Sequence, residues 1–155
     1  MTDSLSYRDV LGRFATGVAV VTTSDDEGPA GLTCQSLVAL SLEPPLVSFA
    51  MTSTGASWAR MRHSTHFAIS VLSSEQADLA RQFATSGIDK FAGVAVSAGA
   101  ADDLLIDGAI AHIEVTVVDL VTYGDHDVVV ARVDRLAASD GEPALFFRGV
   151  FRHLQ

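Results

Sequence analysis

The sequence predicts a mainly β protein: a closed or partly open antiparallel barrel of seven or eight strands, with two or three short helices on its flank. Three observations predict it. Short apolar, β-branched runs recur along the chain, as in Val18–Thr23 and Val128–Leu136. Turn sequences such as Asp25-Asp26-Glu27-Gly28-Pro29 and Gly124-Asp125-His126-Asp127 join neighbouring runs directly, which makes the strands antiparallel. No repeated βα unit occurs, which argues against a doubly wound sheet.

Taken in order, Ser4 or Ser6 can cap a first helix from Tyr7 to Thr16. There Tyr7, Val10, Leu11 and Phe14 recur at helical spacing before Gly17. Val18–Thr23 reads as a strand and Ala30–Leu40 as its return across the Asp25–Pro29 turn. Pro44-Pro45 forces an extended entry into a third strand, Leu46–Met51. A short helix follows through Trp58, Met61 and Arg62, and His66–Leu72 is a fourth strand. Ser73 and Gln76 have capping-box spacing for a helix over 74–85, with Ala77, Leu79, Ala80 and Phe83 inward. Gly99–Gly108 reads as a connection anchored by Leu104-Leu105. The alternating run Ala109–Tyr123 turns into Val128–Leu136, and Ala144–Phe147 and Val150–Leu154 finish the sheet.

The 155 residues fit one domain spanning 1–155, and 48% hydrophobic against 19% charged residues supports a substantial core. So apolar a composition also suggests that some surface is hidden by self-association. A net charge of −9 argues against a nucleic-acid binder, so any bound phosphate has to be held locally. The single cysteine, Cys34, cannot form an internal disulfide. No CxxC or HExxH is present, and His63 and His66 straddle a helix-to-strand break with no carboxylate near, so no metal site is expected. Met1–Ser6 does not resemble a secretory signal and no apolar run reaches membrane-spanning length, so the expected setting is cytoplasmic.

Function concentrates in a few polar stretches. Thr33, Cys34, Gln35 and Ser36 interrupt a strand where it should be most apolar, and either a ligand or edge hydration has to satisfy them. The turn Thr52-Ser53-Thr54-Gly55-Ala56-Ser57 opens a helix and suits either an anion or ordinary capping. Lys90 beside Phe91 places a cation next to an aromatic ring. His126 sits between Asp125 and Asp127, both able to hold its imidazole in one orientation, and is either a ligand contact or a solvated turn residue. GxGxxG and GxSxG are both absent.

FATGVAVVTT, GLTCQSLVALSLEPPLVSF, FAISVLSSEQADLARQFA, DKFAGV, GDHDVVVARV and PALFFRGVFRHL occur in one order and spacing. In these segments the chain resembles the short flavin reductases of two-component flavin-dependent monooxygenases. The resemblance implies a Greek-key split β-barrel, usually a homodimer with flavin at the subunit interface. It implies NAD(P)H-dependent reduction of FMN or FAD, with NADH or NADPH as reductant and reduced flavin released to a flavin-dependent oxygenase. Carried residue by residue, it places Thr33, Cys34, Gln35 and Ser36 at the isoalloxazine edge and ribityl chain, and Ser48, Phe49 and Ala50 along the flavin. Thr54 and Ser57 fall on the flavin phosphate, and Lys90 and Phe91 cover its phosphate or adenylate side. His126, with Asp125 in the same turn, falls on the nicotinamide, and Phe147 and Arg148 lie near the same pocket. Gln35 replaces the family's usual Asn, Cys34 an Ala, Leu37 an aromatic, Ala56 an Arg and Ser70 an Asn. A non-enzymatic flavin-binding or storage module on the same barrel is the alternative, and a pyridoxamine phosphate oxidase type is a weaker one.

Overall fold

The protein is described by a computed structural model covering residues 3–154. In chain order its elements are α1 (Ser4–Leu11), β1 (Thr16–Gly17), β2 (Ala19–Asp25), β3 (Gly28–Cys34), β4 (Val38–Leu42) and β5 (Pro45–Thr52). Then come α2 (Ala56–Met61), β6 (His66–Val71), a single 3-10 turn (Ser74–Gln76), α3 (Ala77–Ala84), β7 (Val96–Ala98) and β8 (Leu104–Ile106). The long hairpin β9 (Ala111–Tyr123) and β10 (His126–Ala138) precedes β11 (Leu145–Phe147) and β12 (Val150–Arg152). Seven strands form the main antiparallel sheet in the order β3-β2-β6-β9-β10-β5-β4. The remaining short strands form a three-stranded sheet, β1-β11-β12, and the hairpin β7-β8. The expected runs up to Val128–Leu136 supply the main sheet, whereas Ala144–Phe147 and Val150–Leu154, expected to finish it, form β11 and β12 of the separate three-stranded sheet.

The sheet is barrel-like because its two edges are consecutive in the chain. β3 and β4 lie at opposite ends of the strand order, yet only Gln35, Ser36 and Leu37 separate them. A flat sheet of this size would hold its edges roughly 29 Å apart, six spacings of about 4.8 Å. The link from Cys34 to Val38 spans at most about 15 Å. The sheet therefore curls until its edges approach, and it stays split along the β3/β4 seam. Ser36 bridges that seam: its hydroxyl donates to the Ala50 carbonyl at 2.9 Å and accepts from the Ala50 amide at 2.8 Å. Ala30–Leu40 is accordingly not one return strand. Its polar run is the bend at which the chain leaves one edge of the sheet for the other.

Period-two alternation fills two cores. Ala19 and Val21 of β2 face inward with Phe49, Phe67, Ile69, Val115 and Val129. Val18 and Val20 face outward with Leu72, Phe83 of α3 and Ile106 of β8. α2 plugs the inner core with Trp58 and Met61, both fully buried. Trp58 stacks on Phe67 at 5.9 Å, and Phe67 meets Phe49 edge-on at 5.7 Å.

Several local expectations change. α1 is capped by Asp3, whose Oδ1 accepts from the Leu5 and Ser6 amides, while the Ser6 hydroxyl itself donates to Asp3. The helix ends at Leu11, short of Thr16, because Thr16 and Gly17 leave to pair with Phe146 and Leu145. None of its residues is buried, so its apolar face covers nothing within the chain. The Ser73/Gln76 capping box forms as expected, and its helix splits into the 3-10 turn and α3. The connection around Leu104-Leu105 is the hairpin β7-β8.

Ser36→Ala removes both bonds across the seam. It is expected to lower the unfolding free energy by about 1–3 kcal/mol in urea titrations without changing the slope. A loss below about 0.5 kcal/mol would mean that other contacts hold the edges together.

Candidate functional site

A cleft of about 400 Å³ opens at the seam, lined by Leu32–Ser36, Ala50–Thr52, Gly55, Trp58 and His126. β3 contributes its free edge, β5 its far end, α2 its indole and β10 its first residue. Part of the polar run is occupied internally. Thr33 donates to the Ala80 carbonyl at 2.5 Å, tying β3 to α3, and Ser36 is committed to Ala50. Burial pushes the Cys34 thiol up, so it stays neutral, with Ser36 Oγ 3.4 Å from its sulfur. Gln35 is exposed and makes one long contact, 3.3 Å, from Thr16. What the cleft offers a ligand is therefore backbone along β3, the Gln35 amide and His126.

The His126 turn is built tightly. Asp125 Oδ1 lies 2.7 Å from His126 Nδ1. A carboxylate only accepts, so Nδ1 carries a proton; Nε2, the acceptor of the neutral ring, lies 3.4 Å from Thr52 Oγ1 on the cleft wall. The imidazole holds the Asp125 carboxyl below its usual range. Asp127 does not share in this, although both neighbours were expected to. His126 is the first residue of β10, so the pleat turns Asp127 to the opposite face. There Asp127 is fully buried and accepts from Trp58 Nε1 at 2.8 Å and Thr122 Oγ1 at 2.6 Å, with Arg62 at 3.3 Å. The two hydroxyl and indole donors, then Arg62, hold its carboxyl low against the cost of burial.

A second, polar cavity of about 260 Å³ adjoins α2, lined in part by Gly31, Ser57, Arg60, Lys90 and Phe91. Lys90 is only 9% exposed, donates weakly to the Gly31 carbonyl at 3.4 Å, and forms no ion pair among the described residues. Burial pulls its ammonium pKa down. Gln82 docks this loop by donating to the Lys90 carbonyl at 2.7 Å and the Ala92 carbonyl at 3.0 Å, while Phe91 meets Phe83 edge-on. Arg60 is held by the Asp25 carboxylate, with Nε at 2.7 Å.

The structure thus brings Thr33, Cys34, Gln35, Ser36, Ala50 and His126 to one cleft, and Ser57, Lys90 and Phe91 to the adjoining cavity. The remaining candidates lie elsewhere. Phe49 points into the core, Ser48 is half-buried on β5, and Thr54 is exposed on the turn without lining either cavity. Phe147 and Arg148 sit by α1, with Arg148 3.7 Å from Asp9, and they too line neither cavity. No hydroxyl caps α2, since Gly55 occupies the cap without a side-chain bond. Sequence reasoning missed Thr52, Trp58 and Arg60 as site residues. Arg60 carried a usable signal: it lies four residues after Ala56 and so on the same helix face.

A split barrel with a polar seam, an oriented histidine and an adjoining cationic cavity defines a ligand-binding domain. Residues 11–155 match the flavin reductase like domain, and the chain belongs to that family. It is 39% identical over 156 residues to the reductase subunit of a flavin-dependent monooxygenase from Mycobacterium tuberculosis, covering 99% of this chain and 83% of that one. It is 36% identical to an NADH-dependent FMN reductase from Agrobacterium fabrum, over 96% of this chain and 85% of that one. Among solved structures, an NADH:FAD oxidoreductase of Streptomyces globisporus in complex with NAD and FAD fragments superposes with a TM-score of 0.94 at 35% identity, covering 99% and 93% of the two chains.

Lys90→Met is expected to stabilise the ligand-free chain by about 1–3 kcal/mol near neutral pH, because it removes a buried ammonium with no counter-charge. The native Lys90 pKa lies below the unfolded value of about 10.4, so the wild type gains stability as pH rises between the two. The advantage of the variant should shrink over that window. Urea midpoints across alkaline pH check this, and a constant advantage would mean that Lys90 finds a counter-charge in the folded chain.

Proposed function

We propose that the protein is an NAD(P)H:flavin oxidoreductase that reduces FMN or FAD and supplies the reduced flavin to a partner monooxygenase. The observation that carries this reading is the convergence of the polar end of β3 with His126 on one cleft, in a chain of the flavin reductase-like family. The residues present fit a flavin mononucleotide unit. The cleft offers backbone groups and the Gln35 amide to a flat heteroaromatic ring. The adjoining cavity offers the unpaired Lys90 ammonium and the Ser57 hydroxyl to a phosphate, with Arg60 beside them.

When bound, the nicotinamide and the flavin supply the hydride exchange themselves. The chain's task is to bind, orient and exclude water. His126, locked by Asp125, presents Nε2 as an acceptor to a carboxamide N–H of the nicotinamide and fixes its lie in the cleft. Donors around Cys34–Ser36 stabilise negative charge at the edge of the ring. Lys90 and Ser57 set the register through the phosphate. Arg60 is committed to Asp25, so phosphate holding rests mainly on Lys90. That suits a flavin that is released as product rather than retained.

In its working form the protein is a homodimer in the cytoplasm, with residues 1–155 as one domain. The exposed apolar side chains support this association, among them Leu5, Tyr7, Val10, Leu11 and Phe14 around α1 and Val38, Leu40 and Leu42 on β4. Among the described residues no helix is long and apolar enough to cross a membrane.

NADH and NADPH oxidation measured with FMN, FAD and riboflavin tests the activity. Flavin-dependent turnover is expected, and its absence despite flavin binding would leave the storage role. His126→Ala is expected to raise the nicotinamide KM or lower kcat by about tenfold or more; unchanged constants would remove His126 from the site. FMN is expected to bind more tightly than riboflavin in the wild type but not in Lys90→Met, as read by fluorescence polarisation.

A further inference from the structure

Asp127 is a fully buried carboxylate that lines neither cavity, yet it touches two of the elements that build the site. From α2 it receives the Trp58 indole N–H at 2.8 Å, and just beyond that helix Arg62 approaches to 3.3 Å. From β9 it receives the Thr122 hydroxyl at 2.6 Å. Its own strand carries His126 one residue earlier. A second tie runs alongside, since the Ser53 amide and hydroxyl both donate to the Asp125 carbonyl, at 2.9 and 3.0 Å. The segment Ser53–Arg62 and the turn Thr122–Asp127 are therefore fastened together at both ends, and Asp127 is the buried end.

We propose that Asp127 is a positioning residue: its carboxylate sets the spacing between the Trp58 wall of the cleft and the His126 turn, and through them the lie of the nicotinamide on the flavin. This rests on the reductase reading above. Three donors converge on two oxygens: Trp58 Nε1 and Arg62 meet Oδ2, and the Thr122 hydroxyl meets Oδ1. An amide at this position keeps one acceptor for Trp58, forces the Thr122 hydroxyl to reverse from donor to acceptor, and removes the negative charge that Arg62 faces. Trp58 cannot follow a displaced partner, because its ring is stacked on Phe67 within the inner core. The strain falls instead on the turn that bears His126, which is otherwise held by Asp125, by Ser53 and by the pairing of His126 with Thr52 and Tyr123.

The test is a double-mutant cycle between Asp127→Asn and His126→Ala, read as KM and kcat for NADH with saturating FMN. Asp127→Asn alone is expected to raise the NADH KM or lower kcat by about ten- to a hundredfold. In the His126→Ala background it should add less than about twofold, because its effect passes through that residue. A merely structural role predicts effects that multiply, and that result overturns the proposal. So does an Asp127→Asn enzyme within about twofold of the wild type. If Asp127→Asn does not fold, Thr122→Val, which removes one donor from an exposed position, carries the same cycle under the same criteria. A wild type with no flavin-dependent NADH oxidation overturns the reductase reading and this inference with it. A wild type that turns over beside an unchanged variant overturns the inference alone.

Discussion

Everything in this molecule follows from one covalent constraint: three residues join the two outermost strands of a seven-stranded sheet. The chain cannot satisfy that link without curling the sheet, and a curled sheet encloses the inner core of Val21, Phe49, Phe67 and Val129. The seam itself is not zipped by a ladder, since β3 and β4 are not hydrogen-bonded neighbours. One serine hydroxyl holds both the N–H and the C=O of Ala50 across it. Peptide groups left along the edge of β3 then face a cleft, so the position of the site is a by-product of closure.

That origin explains how polar groups are divided around the cleft. Side chains that close the barrel, Thr33 and Ser36, are spent on the protein's own carbonyls and amides. A ligand is left with the backbone, with Gln35 and with groups delivered from elsewhere, chiefly His126 and Lys90. Lys90 is the telling case. With a net charge of −9 the chain repels anions at long range, and screening weakens an exposed cation further. In the role proposed for Lys90 a cation that attracts a phosphate has to be dry and near, and dryness costs stability while no anion is bound. The lowered pKa of Lys90 is the physical trace of that cost.

Much of this was legible in the sequence. The period-two runs, the hairpin turns, the capping box at Ser73 and the polar interruption at 33–36 all point to their structural roles. What the sequence did not reveal has identifiable causes. Thr33–Ser36 reads equally well as the middle of one strand or as a bend, since only the pairing partners at the two sheet edges decide. α1 draws its cap from Asp3 rather than serine because the carboxylate is the stronger acceptor, and sequence spacing allowed all three. The partner of Asp127 was misassigned because the strand begins at His126, and one residue of shift reverses the face a side chain takes. Arg60 went unnoticed because the expected cation was sought at Ala56, one helical turn earlier.

α2 shows why such a site needs more than its lining residues. At six residues, with no side-chain cap, it is too short to be stable by its own hydrogen bonds. Burial of Trp58 and Met61 holds it, and the Asp127 carboxylate takes up the indole N–H that burial would otherwise leave unpartnered. The preceding turn, rich in small hydroxyl residues with little intrinsic order, is fixed at Ser53 on one side and by the Trp58 anchor on the other. A cleft wall of flexible sequence is thereby held rigid from behind, by contacts that a ligand never meets. Behind that wall the Asp127 carboxylate and the stacked rings of Trp58 and Phe67 fasten the strand on which His126 stands.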